Sequence, residues 1–304
     1  MYRYKRLLVG ISLKHLDGTA IRYAAMISRL AESEAITFLH VASNLEIEEG
    51  ICAIYSELHP PCDGSVAQEI ENLVKQHYDG HPDTQLEFEA VEGSPLMEFL
   101  RRAKEKDIDL IVMRKGAQDK THGGLLTKLA RKAPCSLLFI PAGANSWYTK
   151  ILVPVDFSEN SKQALEVAVA FANASGIKEI KCLHVYSVPP GYHKTGKSYE
   201  QFAEIMKGHA ETQYQEFIEK IDLKGVSAVP KFRLERKDYR GIWEEVLEER
   251  DVHLLVMGAR GRKAGAGVLL GSVTEHLIQT TQVPLLAVKE KGTGMGLLDA
   301  LLKL

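Results

Sequence analysis

Short runs of consecutive apolar residues recur along the chain, separated by stretches where apolar residues return every three or four positions. RLLVGIS (6–12), TFLHVAS (37–43), DLIVMRK (109–115) and CSLLFIP (135–141) are four such runs. They do not alternate with polar residues. Strands buried on both faces read this way, so the runs predict a parallel sheet covered by helices on both sides. The series then returns as KILVPVD (150–156), KCLHVYS (181–187), HLLVMGA (253–259) and VPLLAVK (283–289). Leu39 and Leu183 lie 144 residues apart, as do Met113 and Met257. One offset shared by several strand pairs predicts the duplication of a whole domain, since the period is far too long for a solenoid.

Between the strands the spacing is helical. In SENSKQALEVAVAFANASG, Ser158 reads as an N-cap, apolar residues recur from Ala164 to Phe171, and Gly176 closes the helix. Further helices are predicted over 203–221, 241–251 and 272–281, and a strand over 230–236. The fold class expected is α/β, as two tandem doubly wound domains, each a five-stranded parallel sheet flanked by helices. Ligands of such sheets bind at the carboxyl ends of the strands, where strand order reverses. The domains are drawn at 1–142 and 149–289, with PAGANSWYT (141–149) as linker. Residues 290–304 form a tail in which Leu297, Leu298, Leu301, Leu302 and Leu304 predict a short docked helix.

Composition narrows the function classes. A length of 304 residues suits two domains at roughly 150 residues each. The 45% hydrophobic and 26% charged fractions exclude wholesale disorder and supply two cores. A formal net charge of −2 lacks the basic excess of nucleic-acid binders, so no nucleic-acid partner is expected. No apolar run approaches the ~20 residues needed to span a bilayer, so no membrane partner is expected either. MYRYKRLLVGISL is basic and then apolar, but its apolar run is short and no clean cleavage site follows, so it reads as a strand. Cys52, Cys62, Cys135 and Cys182 are sparse, which suits a reducing compartment, and a cytoplasmic location is expected. Cys52, His59 and Cys62 lie close together, with His77 and His81 nearby. Their spacing is not that of a zinc finger, and no metal site is assigned. No nucleophile–base signature is present, so no catalytic residue is assigned.

The chemistry concentrates in VMGARGRKAGAGVLLGSV (256–273), which holds five glycines in 18 residues beside Arg260, Arg262 and Lys263. A strand, then glycines, then a helix opening at Ser272 is a physical recipe for phosphate binding. Glycines let backbone N–H groups approach an anion, and the helix adds unpaired N–H groups and the positive end of its dipole. The fingerprints G-x-G-x-x-G and G-x-x-x-x-G-K-[ST] are absent. What stands here is Gly258-x2-Gly261-x9-Gly271-Ser272. After a strand ending V-M-G, and with VPVDFS (153–158) and LHV (183–185), that spacing resembles the nucleotide-binding pattern of the universal stress protein family. The resemblance covers essentially all of both copies.

The resemblance implies two domains related by a pseudo-twofold and paired along their last strands, here within one chain, with a homodimer as the further assembly. It also implies a site for ATP, AMP or ADP. Asp156, preceded by Pro154 and Val155, would lie near ribose and adenine, and Val185 would offer backbone groups to the adenine edge. Met257, Gly258, Gly261, Gly271, Ser272 and Val273 would wrap the phosphates, with Arg260 reaching toward them and Mg²⁺ riding on them. Set against this, Asp156 could instead cap the following helix, and His40 and His184 read as structural. Gly265 and Gly267 read as loop flexibility, and Arg262 and Lys263 as a solvated loop tip.

The first copy departs from the pattern. Ser12 stands where the second has Asp156, Arg114 stands for Gly258, and the loop before Gly123-Gly124 is four residues shorter. The first copy is therefore expected to bind nucleotide poorly, with Arg114 and Lys115 filling the site or holding another anion. The expected function is an ATP-binding stress-response protein, regulated by nucleotide in the second copy, with slow or no hydrolysis. The alternatives are a small-molecule or lipid-binding module, and an ATP-using enzyme whose substrate enters through the inserts at 44–80 and 187–203. The insert HKTGKSYEQ (193–201) reads as a mobile lid.

Overall fold

The computed structural model describes residues 3–13, 17–42, 63–116, 124–144, 149–249, 252–262, 270–293, 295 and 302. The group Cys52, His59 and Cys62, the glycine-loop residues Lys263, Gly265 and Gly267, Gly123, and nearly all of the leucine tail lie outside them. In the first copy the order is β1 (Arg6–Gly10), α1 (Asp17–Ala31), β2 (Ala35–Ala42), α2 (Asp63–His77), β3 (Gln85–Glu92), α3 (Pro95–Glu105), β4 (Leu110–Arg114), α4 (Leu125–Lys132) and β5 (Ser136–Ile140). The second copy repeats it with β6 (Ile151–Pro154), α5 (Glu159–Ala174), β7 (Glu179–Tyr186), α6 (Tyr199–Ile218), β8 (Ser227–Leu234), α7 (Asp238–Glu248), β9 (Leu254–Gly258), α8 (Ser272–Thr280) and β10 (Leu285–Val288). No helix among the described residues is long and apolar enough to cross a membrane.

Among the described residues the strands join one ten-stranded sheet in the order β3-β2-β1-β4-β5-β10-β9-β6-β7-β8. Each half is parallel, and the halves meet where β5 pairs antiparallel with β10. The central register is symmetric. Leu138 pairs with Leu286, Leu137 with Ala287 and Phe139 with Leu285, so a local twofold passes between Leu138 and Leu286. Alternate strand residues feed opposite faces. Leu7, Val9, Val112, Leu138 and Leu286 join a cluster under α1, α2, α5 and α6. Leu8, Ile111, Met113, Leu137 and Leu285 join one under α3, α4, α7 and α8. Both clusters run through both copies, so the interface between the copies is continuous core.

Polar contacts pin that interface. Lys115 Nζ donates to the Thr281 carbonyl at 3.0 Å, and Lys289 Nζ donates to the Ala133 carbonyl at 2.8 Å. These carbonyls belong to the C-caps of α8 and α4, where a cation complements the negative end of the helix. Lys291 adds a pair of ion contacts to Asp107 and Asp109, each at 2.7 Å.

Three element boundaries differ from expectation. Helix α6 begins at Tyr199, not at 203, because Ser198 and Gln201 form a capping box. Part of the insert read as a loop is therefore its first turn, preceded by a 3-10 turn at Tyr192–Thr195. Helix α7 covers Asp238–Glu248, starting three residues ahead of 241. Strand β8 covers Ser227–Leu234, with Ser227 anchored by its N–H to the Lys178 carbonyl at 2.8 Å.

Candidate functional site

In each half, the first strand lies between the second and the fourth, so the chain direction of successive crossovers reverses there. In the second copy this switch lies between β6 and β9. A cavity of about 630 Å³ opens at their carboxyl ends, within the usual range for small-molecule sites. Pro154 at the end of β6 and Val155 and Asp156 just after it form one wall, with Val185 near the end of β7 and Met257 and Gly258 at the end of β9. Arg260, Gly261, Gly271, Ser272 and Val273 complete the side made by the glycine loop and α8. All the site residues named from the sequence thus face one cavity.

The two ends of the glycine loop are tied together. The Gly271 N–H donates to the Ala259 carbonyl at 2.8 Å, which closes the loop on itself and sets Gly258 and Gly261 beside the start of α8. Thr274 Oγ1 ties the first turn of α8 to the Gly258 carbonyl at 3.0 Å. The three glycines are not equivalent. A Cβ on Gly258 would stand 2.9 Å from Asn160, and one on Gly261 would stand 2.7 Å from Asp156 Oδ2. A Cβ on Gly271 would meet protein atoms only at an ordinary 3.5 Å. Helix α8 takes Gly271 as its N-cap, and among the described residues no side chain caps it. Its first N–H groups therefore face the cavity wall without a side-chain acceptor.

Asp156 is not the helix cap. Ser158 caps α5, its Oγ accepting from the Ser161 N–H at 3.3 Å. Asp156 Oδ1 accepts from the Ser158 N–H and Oγ–H at 3.1 and 2.6 Å, and Oδ2 accepts from the Arg262 N–H at 2.5 Å. The carboxylate is thus a latch between the end of β6 and the glycine loop. Arg262, read as a solvated tip, supplies the backbone group for that latch. Phe157 next to it has φ 64°, a left-handed conformation shared by its first-copy counterpart Leu13 at φ 58°. That turn lays the Phe157 ring on His184, with centroids 4.3 Å apart.

His184 Nδ1 lies 2.8 Å from the Val155 carbonyl, and His40 Nδ1 lies 2.9 Å from that of Ile11. A carbonyl only accepts, so Nδ1 carries the proton in both. This matches the structural reading of the pair. Burial lowers the His184 pKa below the ordinary value, which favours the neutral ring. His184 nevertheless lines the cavity, as do Tyr186, Met206 and Gln213 on the β7–α6 side and Asp238, Ile242 and Glu275 from α7 and α8. Sequence reasoning missed these. The helical spacing Met206, Ala210 and Gln213 marks one face of α6, but only the packed sheet shows that it faces the loop. Among the described residues no group of three or more His, Cys, Asp or Glu could hold a metal ion.

At the same switch point of the first copy, Ser12 donates through its N–H and Oγ–H to the Asp17 carboxylate at 2.9 and 2.8 Å. Asp17 is fully buried, with Arg114 Nε 3.7 Å from its Oδ1. Arg114 therefore has a carboxylate of its own, and Lys115 is engaged by α8.

The family model of the universal stress proteins matches residues 3–141 and again 148–289. The chain belongs to the universal stress protein family. It is a tandem universal stress protein, since the model matches twice. A universal stress protein of Methanocaldococcus jannaschii is 30% identical over 162 residues, covering 48% of this chain and 98% of the relative. One from Synechocystis is 30% identical over 156 residues, covering 47% and 98%. Among solved structures, a universal stress protein from Archaeoglobus fulgidus covers 94% of this chain and 98% of its own, with a TM-score of 0.58 at 18% identity. A functionally unknown protein from Pseudomonas aeruginosa covers 99% and 97%, with a TM-score of 0.62 at 16% identity. At these identities the structural likeness is one of fold.

Proposed function

We propose that this tandem universal stress protein binds one adenine nucleotide (ATP, ADP or AMP) in the cavity of its second copy and serves as a nucleotide-regulated stress-response protein. The observation that carries the reading is the loop closed by Gly271 and Ala259, which brings side-chain-free backbone and the uncapped start of α8 to one wall of a cavity. Backbone N–H groups and the helix dipole suit phosphate oxygens. Arg260 and Arg262 add positive charge at the same wall. The apolar wall of Val185, Ile242 and Met257 suits a flat base. Mg²⁺ would arrive with the phosphates, since among the described residues no group of three or more His, Cys, Asp or Glu could hold it. When bound, it would neutralise phosphate charge.

Turnover is slow or absent in this reading. Both oxygens of Asp156 are already engaged, so it is poorly placed to activate a water. Nucleotide binding instead stabilises the closed loop and shifts the population of states that a partner meets. Titration of the full chain with Mg·ATP tests this. One nucleotide per chain is expected, and Gly261→Val should weaken binding by at least about a hundredfold, since its side chain must displace the Asp156 latch. Two equivalent nucleotides per chain, or a co-purifying molecule of another class in the same cavity, would overturn the reading.

A further inference from the structure

The contacts across the pseudo-twofold are unequal on its two sides. We propose that Arg131, carried by the first copy, is a positioning residue for the anion wall of the second copy. The proposal rests on the nucleotide reading above. Helices α4 and α8 pack against each other across the axis. Arg131 Nη2 lies 2.5 Å from Glu275 Oε1, and Glu275 lines the cavity from the first turn of α8.

A carboxylate in that turn offsets the positive end of the helix and repels a phosphate approaching the N–H groups of Ser272, Val273 and Thr274. The Arg131 guanidinium beside it, itself 56% exposed, offsets part of that charge. Glu275 is largely covered, its side chain 19% exposed, so the repulsion it would exert is only partly screened by water.

Symmetry provides the control. The register about Leu138 and Leu286 relates residues 148 apart, which matches Arg131 with Gln279 and Glu275 with Thr127. The counterpart positions are uncharged. The structural grip, by contrast, is present on both sides, with Lys115 on the α8 C-cap and Lys289 on the α4 C-cap. Holding the helices together thus uses a lysine from each copy. The arginine–glutamate pair exists only on the side where the glycine loop is intact. The first copy therefore does more than cover the interface of the second. It supplies the charge that makes the start of α8 acceptable to an anion.

The test is a double-mutant cycle on the full chain with Arg131→Met, Glu275→Gln and both together, titrated with Mg·ATP and with adenosine. Arg131→Met should weaken Mg·ATP binding about threefold to tenfold and leave adenosine binding unchanged. In the Glu275→Gln background the same substitution should have no effect, because the charge it answers is gone. Equal losses for Mg·ATP and adenosine, or equal losses in both backgrounds, would reduce Arg131 to a packing residue and overturn the proposal. Wild type that binds Mg·ATP while Arg131→Met binds it equally well overturns only the role of Arg131. Wild type that binds neither ligand overturns the nucleotide reading and this inference with it.

Discussion

At the carboxyl edge of the second copy, β6 and β9 part around a cavity bounded by glycines. At the same edge of the first, the space between β1 and β4 is held by Arg114 and the buried Asp17. The strands, the shared left-handed turn at Leu13 and Phe157, and the histidines on the adjacent carbonyl are alike in both. What differs is where the carboxylate stands. Asp156 follows the strand and reaches out to the loop, whereas Asp17 sits in the helix and accepts from Ser12. A duplicated fold can thus keep its frame while the same edge holds a cavity in one copy and an internal ion pair in the other.

A second contrast shows which differences are interchangeable. Strand β3 carries Glu87 and Glu89, paired with Arg102 and Lys106. By sheet register Glu89 matches Lys231 of β8, which pairs with Glu245 and Glu249, and Arg233 two residues on pairs with Glu244, Glu245 and Glu248. The signs are reversed and the network survives, because an ion pair needs complementarity and no particular orientation. The glycine positions have less freedom, since a Cβ at Gly258 would meet Asn160 and its backbone carbonyl, and one at Gly261 would push the Asp156 carboxylate from its place.

The contrast between the two edges can be broken directly. The largest effect is expected from Gly258→Arg, which installs the first copy's residue in the second. Its Cβ collides with Asn160, so stability should fall by about 3 kcal/mol and nucleotide binding by more than about a hundredfold. Chemical denaturation and calorimetric titration read the two effects. If the variant keeps nucleotide affinity, the glycine wall is not the phosphate site.

The converse substitution, Arg114→Gly, should not create a second nucleotide site. It leaves the buried Asp17 with the Ser12 hydrogen bonds but without its nearby guanidinium, and should cost about 2 kcal/mol. A stoichiometry that rises to two nucleotides per chain would show that the arginine alone blocks the first copy.

The smallest effect concerns the interface that both copies share. Burial pulls the Lys289 ammonium down to about 8 from the ordinary 10.5. In the window from 8 to 10.5 the unfolded chain binds more protons at this group than the folded chain does. The folding cost is therefore fully present below 8 and is relieved as pH rises through the window. Relative to Lys289→Met, wild type should gain about 1 kcal/mol between roughly pH 7.5 and pH 9. The comparison cancels the contribution of Cys182, whose thiol burial pushes up to about 12, an effect of opposite sign. Parallel stability curves for the two proteins would remove Lys289 from the account.

Much of this was legible along the chain. Apolar runs of five or so residues, repeated at one offset, specify a duplicated parallel α/β fold because strands buried on both faces cannot be polar. Ser158 announced the start of α5, and the glycine spacing located the loop. The start of α6 was misplaced because a capping box depends on Gln201 reaching back to Ser198, inside a segment whose polarity reads as loop. Asp156 remained ambiguous between a cap and a ligand group, since both roles call for a carboxylate after a strand.

The amino-acid sequence by itself determined the repeat, the strand and helix order, and which copy keeps the glycines. These are local properties of patterning, backbone freedom and side-chain size. The pairing of the two sheets along their last strands was already implied by the resemblance, and only the tertiary structure decided that its register centres on Leu138 and Leu286, that Asp156 latches the loop through Arg262, and that Arg131 meets Glu275 across the axis. Each of these joins residues that are distant along the chain, about a hundred or more positions apart. Their contact follows from how whole layers pack, which no local pattern encodes.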